Sequence, residues 1–385
     1  MHHDHGTCGG HSHDHKHGET RGQLKELPMI DPLQLEGNEE VADLIDNVYA
    51  RSGFNARRLA EACQTYSRML NDDATVCLTV AGAMTPIGMS GVINSLIRAG
   101  FVDCLIITGA NLYHDMHRPY QQPVAQGHFA VDDNALAEDG VARIYDVFIG
   151  EEETLMATDQ IILEKIRKIR SDEPMSTAQL HHALGQEIRN DAPHPDWSLL
   201  ATAAECDTPI YTSSPGDSSI AMNLTVPHMF GQPVRLDPLK DVIETAAIVR
   251  AGKKNGVIIC GGGSPKNFYL QTQPTLHQIF FDETPVGHDY VIQLSADAPH
   301  WGGISGATPS EARSWGKVRD AFVNNVVVYS CASLTLPLLA QYVLVRNKKR
   351  PLKRLYSRLP QLVQELRDAA EKNPKFRESA KAVLG

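Results

Sequence analysis

The chain has 385 residues, of which 42% are hydrophobic and 21% are charged, and its formal net charge is −10. This composition is typical of a globular protein and excludes wholesale disorder and fibrous repeats. The acidic balance also argues against general binding of nucleic acids or anionic membranes, because neutralising phosphates requires clustered lysine and arginine. The net negative charge of the chain suits a cationic ligand.

The N-terminal residues 1–25 are rich in histidine, glycine and aspartate. Such a segment buries too little apolar surface to offset the entropy of ordering, so we predict a disordered tail. Histidine-rich tracts can chelate transition metals loosely. A passive extension is the favoured interpretation, and we assign no metal site.

The body of the chain alternates between two apolar patterns. Residues 38–69 show three- and four-residue spacing, which predicts a helical segment with a break at Ser52-Gly53. Beyond it, short β-branched runs predict buried strands, and the stretches between them fit helices. The predicted strands are 75–80, 102–108, 209–212, 257–260, 290–294 and 326–329, and the predicted helices are 89–99, 158–169, 176–189, 241–251, 310–320 and 334–345. We therefore expect an α/β fold with a Rossmann-like parallel sheet, helices on both faces and an N-terminal helical segment, forming one domain over residues 26–345.

Residues 346–385 form a basic extension with 12 Lys+Arg and 4 Asp+Glu, which leaves −18 on residues 1–345. We predict a helical segment here. A solvated helix is the favoured interpretation, and a docking surface for an acidic patch on another subunit is the alternative.

The seven cysteines show no spacing typical of a zinc site or a disulfide framework, and most lie in apolar runs. We expect them to be buried thiols in a reducing compartment. The N-terminus has no apolar signal-peptide core, and the longest apolar stretch, 334–345, is too short to span a bilayer. These features predict a cytoplasmic protein.

Small and polar residues follow each predicted strand. In a parallel sheet these positions meet at one edge, where ligands bind, and glycine and hydroxyl residues let backbone N–H groups approach a pyrophosphate or ribose. Several such segments together predict a nucleotide-sized ligand. None matches GxGxxG or GxxxxGK[ST], and the triple glycine 261–263 could equally form a tight turn.

The segment SEARSWGKVRD, 310–320, brings three types of chemistry together. Glu311 could anchor an ammonium group, Trp315 could offer a cation–π face, and Lys317 could form a Schiff base. On pattern alone, the favoured alternative is an ordinary surface helix with Trp315 in the core.

Four blocks resemble the C-terminal half of the deoxyhypusine synthase family: GVIICGGGSPKN, DYVIQL, SGATPSEARSWGKVR and ASLTLPLL. Weaker similarity extends upstream, so the resemblance covers roughly residues 40–345. It implies NAD-dependent transfer of a 4-aminobutyl group from a polyamine through a lysine Schiff base. It also implies a homo-oligomer, a tetramer in the family, with a small-molecule polyamine substrate and neither nucleic acid nor membrane as partner.

The same resemblance assigns the site residues. Lys317 matches the nucleophile, and the rival Lys266 matches a lysine that is not nucleophilic in the family. Asp217 is a candidate acceptor for a ribose hydroxyl, with an Asx-turn after Gly216 as the alternative. The implied substrate residues are Trp315, Glu311, Asn267, Ser305 and His300. The implied NAD contacts are Thr85, Ser90, Thr108, Gly109, Ala110, Asp217, Gly261, Gly262, Gly263, Ala296 and Asp297.

Several positions depart from the family pattern. Asn267 stands where the family has a histidine, Ile304 and Cys331 replace aspartates, and Tyr113-His114 replaces an acidic pair. His114, Asp115 and His300 are candidates to rebuild part of the polyamine site. Asparagine at 267 is associated with homospermidine synthase-like relatives, so we predict a small amine acceptor. The alternatives are a deoxyhypusine synthase acting on a protein lysine and a non-catalytic NAD- or polyamine-binding regulator.

Overall fold

The computed structural model describes residues 28–35, 37–169, 172–304 and 308–385. The predicted histidine-rich tail, 1–25, lies outside the described residues.

The core of the protein is a six-stranded parallel sheet with strand order β6-β2-β1-β7-β8-β9. Alternate residues of the strands belong to two separate apolar clusters: Ile258 packs in one, and Val257 and Ile259 pack in the other. Because successive strand residues face opposite sides of a sheet, both faces are covered. The predicted Rossmann-like α/β fold is confirmed. The strands are β1 Thr75–Val80, β2 Cys104–Ile107, β3 Val124–Gln126, β4 Val141–Ile144, β5 Val147–Gly150, β6 Ile210–Tyr211, β7 Asn255–Cys260, β8 Tyr290–Leu294 and β9 Asn325–Val328.

The helices fill the intervals between strands, and the break at Ser52-Gly53 separates the first two as predicted. Single π-helical turns occur at Ile45–Tyr49, Glu151–Met156 and Thr275–Ile279. The α-helices are α1 Val41–Leu44, α2 Phe54–Asn71, α3 Ser90–Arg98, α4 Gly109–Asp115, α5 Asp133–Glu138, α6 Ala157–Lys168, α7 Thr177–Asp191, α8 Leu199–Cys206, α9 Ser219–Met229, α10 Pro238–Ala251, α11 Gly263–Leu270, α12 Thr272–Pro274, α13 Pro309–Ala312, α14 Ala332–Arg346, α15 Leu355–Lys372 and α16 Pro374–Leu384.

The predicted helix over 310–320 is wrong beyond its first turn. Helix α13 ends at Ala312, and Gly316 takes a left-handed φ of +68°. The chain then runs beside His288, which donates its N–H to the Lys317 carbonyl at 3.0 Å and accepts from the Arg319 N–H at 3.0 Å. This long-range pairing replaces the helical bonds of the segment.

A small antiparallel sheet with order β3-β5-β4 lies outside the main sheet, between α4 and α6 in the chain. The sequence analysis did not predict it. Its strands are three or four residues long and partly exposed, too short for an alternating pattern to stand out.

The basic extension packs onto the body through α15, which contacts α10. Leu355, Leu359, Leu362 and Leu366 are buried along one face of α15, at the spacing of an amphipathic helix. The expected solvated helix is therefore wrong for that face, whereas α16 buries no residue.

Arg350 ties the segment before α15 to the end of the sheet opposite the strand exits. Its guanidinium donates to the carbonyls of Gly100 at 2.7 Å and Ala74 at 3.0 Å, and to the carboxylate of Asp103 at 3.1 Å. Burial raises the pKa of Asp103, and the charge of Arg350 opposes that rise. The carboxylate also accepts from the Val76 N–H at 2.9 Å.

Five cysteines are buried as predicted, namely Cys63, Cys77, Cys104, Cys206 and Cys260, while Cys331 is exposed. Across the described ranges, no helix combines the length and apolarity needed to cross a membrane.

Candidate active site

A cleft of about 450 Å³ opens at the carboxyl ends of the central strands. Strand β1 pairs with β2 on one side and with β7 on the other, so the chain reverses its winding direction at this point, where open α/β sheets bind ligands. The cleft lies between the segments that follow β1, β7 and β8. It is lined by Ala81, Gly82, Gly261, Gly262, Gly263, Ser295, Asp297, Gly302, Gly303 and Ile304.

The backbone conformation and close packing of residues 261–263 require glycine at all three positions. Gly261 and Gly263 have φ values of +77° and +64°, in the left-handed region that favours glycine. A Cβ on Gly262 would lie 2.8 Å from the backbone carbonyl carbon and oxygen of Ile304, so two loops meet there with no room for a side chain.

Gly82 and Gly302 also line the cleft, but unlike Gly262 they have open space around them. A Cβ at either position would have no protein atom within 4 Å, so a side chain there would enter the open cleft. This backbone-lined hollow fits the pyrophosphate and ribose of a dinucleotide, which backbone N–H groups can approach closely.

Asn111 braces the loops that follow β1 and β2. Its side-chain oxygen accepts from the N–H groups of Met84 and Thr85, both at 3.0 Å. Its amide nitrogen donates to the Gly82 carbonyl at 2.6 Å and to the Thr108 hydroxyl at 2.7 Å. The sequence analysis missed Asn111, because its role depends on β1 and β2 being neighbours.

Thr85 is a positioning residue of this brace. Its side chain is fully buried, and its hydroxyl donates to the Asn111 carbonyl at 2.6 Å. Arg118 supports the same loop by donating to the Thr85 carbonyl at 2.8 Å and to the Pro86 carbonyl. The hydroxyl of Thr85 is thus engaged within the protein, and Ser90, the first residue of α3, is buried beside this loop.

The segments after β2 and β6 also meet. A Cβ on Gly109 would lie 2.6 Å from the Cβ of Ser218, so glycine is needed for this approach. Ala110 and Asp217 are exposed on either side of the contact. The Asp217 N–H donates to the Ser214 carbonyl at 3.0 Å, which leaves its carboxylate facing solvent.

Asp297 holds the loop after β8 closed. One carboxylate oxygen accepts from the Ala298 N–H at 2.8 Å and the Trp301 indole N–H at 2.9 Å, and the other accepts from the Ile304 N–H at 2.8 Å. These bonds, with that of Trp301 the strongest, lower the pKa of Asp297. Ala296 is exposed beside it, and the ring of His300 lies against Trp301 on the outside of the loop, with 4.0 Å between ring centroids.

Lys317 and Asn267 are brought together from segments 50 residues apart. The Lys317 ammonium donates to the Asn267 side-chain oxygen at 3.0 Å and lies 5.7 Å from the ring of Trp315. Partial burial lowers the pKa of Lys317, which favours the neutral, nucleophilic amine. Trp315 is 64% exposed, so the alternative that placed it in the core is wrong.

Lys266 lies next to Asn267 but is 2% exposed, and its ammonium donates to the Ile304 carbonyl at 2.9 Å. Burial, and then the charge of Lys317, lower the pKa of Lys266 to about 8. A substrate can reach Lys317 without displacing protein, whereas Lys266 lies beneath the loop that Asp297 closes. Of the two amines, that of Lys317 is the more accessible.

Glu311 acts as a helix cap. Its carboxylate accepts from the Thr308 N–H at 2.7 Å, and the Thr308 hydroxyl accepts from the Glu311 N–H at 3.2 Å, forming a capping box on α13. These bonds lower the pKa of Glu311. Ser305 lies outside the described residues.

His114 and Asp115 do not rebuild a polyamine site. The two nearest ring nitrogens of His114 and His117 are 2.9 Å apart, and burial lowers the pKa of His114 to about 4. Asp115 is buried and accepts from the Leu199 N–H at 2.7 Å and the Ser198 hydroxyl at 3.0 Å, which anchors the start of α8. Both residues serve the packing of the fold.

The comparisons with known proteins agree with this geometry. The family model for deoxyhypusine synthase matches residues 43–343. A deoxyhypusine synthase-like protein from Cyanothece sp. is 43% identical over 92% of both chains. A Methanosarcina mazei protein named "Probable deoxyhypusine synthase 2" is 40% identical over 82% of this chain and 90% of its own.

The fold has a solved counterpart. A crystal structure from Entamoeba histolytica, assigned provisionally as a deoxyhypusine synthase, superposes with a TM-score of 0.58 at 17% identity and covers 84% of this chain and all of its own. The chain thus has an α/β fold whose cleft lies at the carboxyl ends of the central parallel strands. The chain belongs to the deoxyhypusine synthase family, whose members are NAD-dependent aminobutyl transferases.

Proposed function

We propose that the protein is an NAD-dependent aminobutyl transferase that carries the aminobutyl group on Lys317 and passes it to a small amine. The observation that carries the proposal is the accessible Lys317 amine, held at 3.0 Å by Asn267 and placed over the Trp315 ring. Family membership supplies the reaction class.

The cleft supports NAD as the cofactor. Gly82, Gly302 and the triple glycine 261–263 would hold it, with Asp217 and Asp297 as candidate carboxylates, because six of the ten residues that line the cleft are glycines. Bound NAD would supply an acceptor for the hydride on the carbon beside the donor amine and would return that hydride after transfer.

Lys317 performs the covalent step. Its neutral amine attacks the imine carbon of the oxidised donor, a bond forms from Nζ to carbon, and the donor's original amine leaves with a proton. The aminobutyl group is then held as a lysine Schiff base. An acceptor amine attacks the same carbon, Lys317 leaves as the free amine, and the new imine is reduced to the secondary amine product.

Two features prepare Lys317 for this step. Partial burial lowers its pKa, and the Asn267 amide oxygen orients it without adding a negative charge that would favour the ammonium form. The exposed face of Trp315 is suited to the cationic part of a polyamine.

Asn267 supports a small amine as the acceptor. It stands at the histidine position of the family and matches the replacement found in homospermidine synthase-like relatives. Putrescine is therefore our first choice of acceptor. A protein lysine is the second candidate, and the relatives named as deoxyhypusine synthases favour it. Like its family, we expect the protein to act as a homo-oligomer, a tetramer.

The test is covalent capture. The protein is incubated with NAD and either spermidine or putrescine, treated with borohydride, and its intact mass is measured. We expect one added aminobutyl group in the native protein and none in Lys317→Arg, which keeps the positive charge but has no nucleophilic amine. The exposed Lys168, paired with Glu187 on another face, provides the matched control Lys168→Arg, which should label fully.

Product analysis separates the acceptors. Adding putrescine before the borohydride should discharge the lysine Schiff base, release homospermidine and leave no added mass on the protein, whereas discharge only by a protein acceptor would support the second candidate. NAD binding without any adduct, in a folded protein, would contradict both transferase proposals and favour the non-catalytic regulator.

A further inference from the structure

The loop 212–218 follows β6, the edge strand of the main sheet, and lies among the segments of the candidate active site. It carries Asp217 and packs against Gly109 in the segment after β2. On its other side, the hydroxyl oxygen of Ser214 lies 3.5 Å from that of Ser264, in the first turn of α11. A displacement of this loop would therefore move the candidate ribose acceptor relative to both neighbouring segments.

Side chains of α7 bond the edge of β6 that faces away from β2. Ile210 and Thr212 are two residues apart, so their backbone groups point to the same edge. The Ile210 carbonyl accepts from Nδ1 of His181 at 2.7 Å, and the Thr212 N–H donates to the Thr177 hydroxyl at 3.1 Å. Thr177 thus takes the place of a strand neighbour at the point where β6 ends and the loop begins.

Thr177 is itself held by Asp241 of α10. One carboxylate oxygen of Asp241 accepts from the Thr177 N–H at 2.7 Å, and the other accepts from the Thr177 hydroxyl at 2.7 Å. Both side chains are 1% exposed. Because the hydroxyl hydrogen is donated to Asp241, the hydroxyl oxygen serves as the acceptor for the Thr212 N–H. The three residues therefore form one directed chain of hydrogen bonds.

The surroundings of Asp241 make its bonds with Thr177 important. Burial raises the pKa of Asp241 to about 7, and the hydroxyl and the N–H of Thr177 oppose that rise. The charges of Glu244 and Asp237 add to the rise. Since burial and like charges disfavour the carboxylate, the two bonds from Thr177 favour its charged, accepting form.

Helix α10 also reaches the neighbourhood of Lys317. One turn beyond Asp241, the Thr245 hydroxyl donates to the Asp241 carbonyl at 2.7 Å. Thr245 lines a cavity of about 360 Å³ that Asn267 also borders, and Asn267 accepts from the Lys317 ammonium. Asp241 thus lies on a helix that borders the lysine side of the site, while its carboxylate reaches the loop after β6.

We propose that Asp241 is a positioning residue of the active site: through the Thr177 hydroxyl it fixes the backbone of Thr212 and holds the loop 212–218 in the conformation that binds a ribose of NAD. The inference rests on the proposed function, because it assigns this loop to bound NAD. Asp241 is buried and acts only through Thr177.

The first variant removes only the hydroxyl. Thr177→Val keeps the side-chain shape and the N–H that donates to Asp241, so it separates the contact with Thr212 from the capping of α7. Calorimetric titration of the full-length protein should show NAD binding weakened about fivefold, the factor for one net hydrogen bond. Hydrogen-exchange mass spectrometry should show the Thr212 amide exchanging about tenfold faster.

Two further variants test the chain of bonds. Thr177→Ser restores the hydroxyl and should bind NAD as the native protein does. Asp241→Asn can still accept from the Thr177 N–H, but its amide nitrogen cannot accept the hydroxyl hydrogen, so it should weaken NAD binding as Thr177→Val does.

Thr65→Val is the matched control. Thr65 is 1% exposed on α2, its hydroxyl accepts from Arg68 at 2.8 Å, and α2 leads into the amino end of β1, opposite the cleft. This variant also loses one buried hydroxyl contact, so its unfolding free energy should fall, but it should bind NAD as the native protein does.

The outcomes separate the inference from the proposed function. Unchanged NAD affinity in folded Thr177→Val, or equal weakening in Thr177→Ser or Thr65→Val, would overturn the inference alone. Absence of NAD binding by the native protein would contradict the proposed function and the inference that rests on it. Denaturant unfolding shows whether each variant is folded at the titration temperature, and if Thr177→Val is not, Asp241→Asn decides by the same criterion.

Discussion

The two sides of the cleft are built in opposite ways. On the side of β1 and β2, the loops are cross-linked by buried groups: the Asn111 side chain makes five hydrogen bonds to described residues, and Arg118 donates to the Thr85 and Pro86 carbonyls. On the side of β7 and β8, the loop is held by its own exposed Asp297 and by Lys266, which donates to the Ile304 carbonyl, and the Lys317 ammonium donates to Asn267. The first side is cross-linked by buried hydrogen bonds, while the second leaves the Lys317 amine partly exposed.

If the proposed chemistry holds, this contrast predicts that stability and reactivity depend on different sides of the site. Changes on the braced side should lower the free energy of unfolding. Changes on the lysine side should alter reactivity with little effect on stability.

The largest stability effect is expected from Asn111→Ala. The change leaves the buried N–H groups of Met84 and Thr85 without an acceptor, which should cost about 3 kcal/mol of unfolding free energy. It should also weaken NAD binding, because the loop after β1 loses its brace. Guanidinium denaturation and an NAD titration measure the two effects. Asn134→Ala, on an exposed helix, is the control and should stay within about 0.5 kcal/mol. Equal unfolding free energies for Asn111→Ala and Asn134→Ala would show that the Asn111 hydrogen bonds do not stabilise the fold.

Asn267→Asp should change the rate of adduct formation without changing stability. A carboxylate 3.0 Å from the Lys317 ammonium raises the pKa of the lysine, so the neutral amine forms at higher pH. The rate at neutral pH should fall about tenfold per unit of pKa, and the pH profile should move upward. Gln271→Glu adds the same charge one helical turn away on an exposed position and should shift the profile less. An unmoved profile in Asn267→Asp would argue that Lys317 is not the titrating nucleophile.

His117→Gln should make the free energy of unfolding less dependent on pH in the acidic range. Burial, and then the charge of His114, lower the pKa of His117 to about 3, so the unfolded chain takes up a proton below pH 6.5 that the folded chain refuses. The contribution of neutral His117 to the free energy of unfolding is present in full above pH 6.5. It is lost, at about 1.4 kcal/mol per pH unit, as the pH falls toward 3. Denaturation between pH 7 and 4 should show a smaller slope in the variant. The exposed His228→Gln is the control and should retain the native slope.

The smallest effect is expected from Asp297→Asn. The exposed loop loses one acceptor, so amide exchange at Ile304 should accelerate while the free energy of global unfolding stays within about 0.5 kcal/mol. Hydrogen-exchange mass spectrometry distinguishes this local opening from a global change. Asp320→Asn removes a similar exposed turn cap and should affect only residues near 322 and 323. A lower free energy of global unfolding in Asp297→Asn would show that this loop, like the loops after β1 and β2, stabilises the whole fold.

The sequence predicted the main sheet well, because each of its strands is a short β-branched run buried on both faces. The sequence-based prediction failed where contacts with a segment distant in the sequence determine the local structure. The stretch after Ala312 looks helical until His288 pairs with it, and the strands of the small sheet carry too few residues to form a pattern.

The site was predicted in part for the same reason. Lys317 and the triple glycine were singled out through motifs; the structure pairs Lys317 with Asn267 and places the triple glycine in the wall of the cleft. Asn111 could not be identified, since an asparagine among small residues carries no signal until β1 and β2 are known to be adjacent. Glu311 was predicted to bind an ammonium, but the S/T-x-x-E spacing from Thr308 also marks a capping box, which the structure shows.

The Arg350 anchor has a consequence for the stability of the protein. Cleavage of the chain before Arg350 would remove the guanidinium and leave the Asp103 carboxylate buried against the Val76 N–H with no cation. Because such an unpaired charge strongly destabilises a core, loss of the segment from residue 347 onward should lower the free energy of unfolding of the body. The basic extension thus couples the stability of the parallel-sheet body to the segment that carries Arg350.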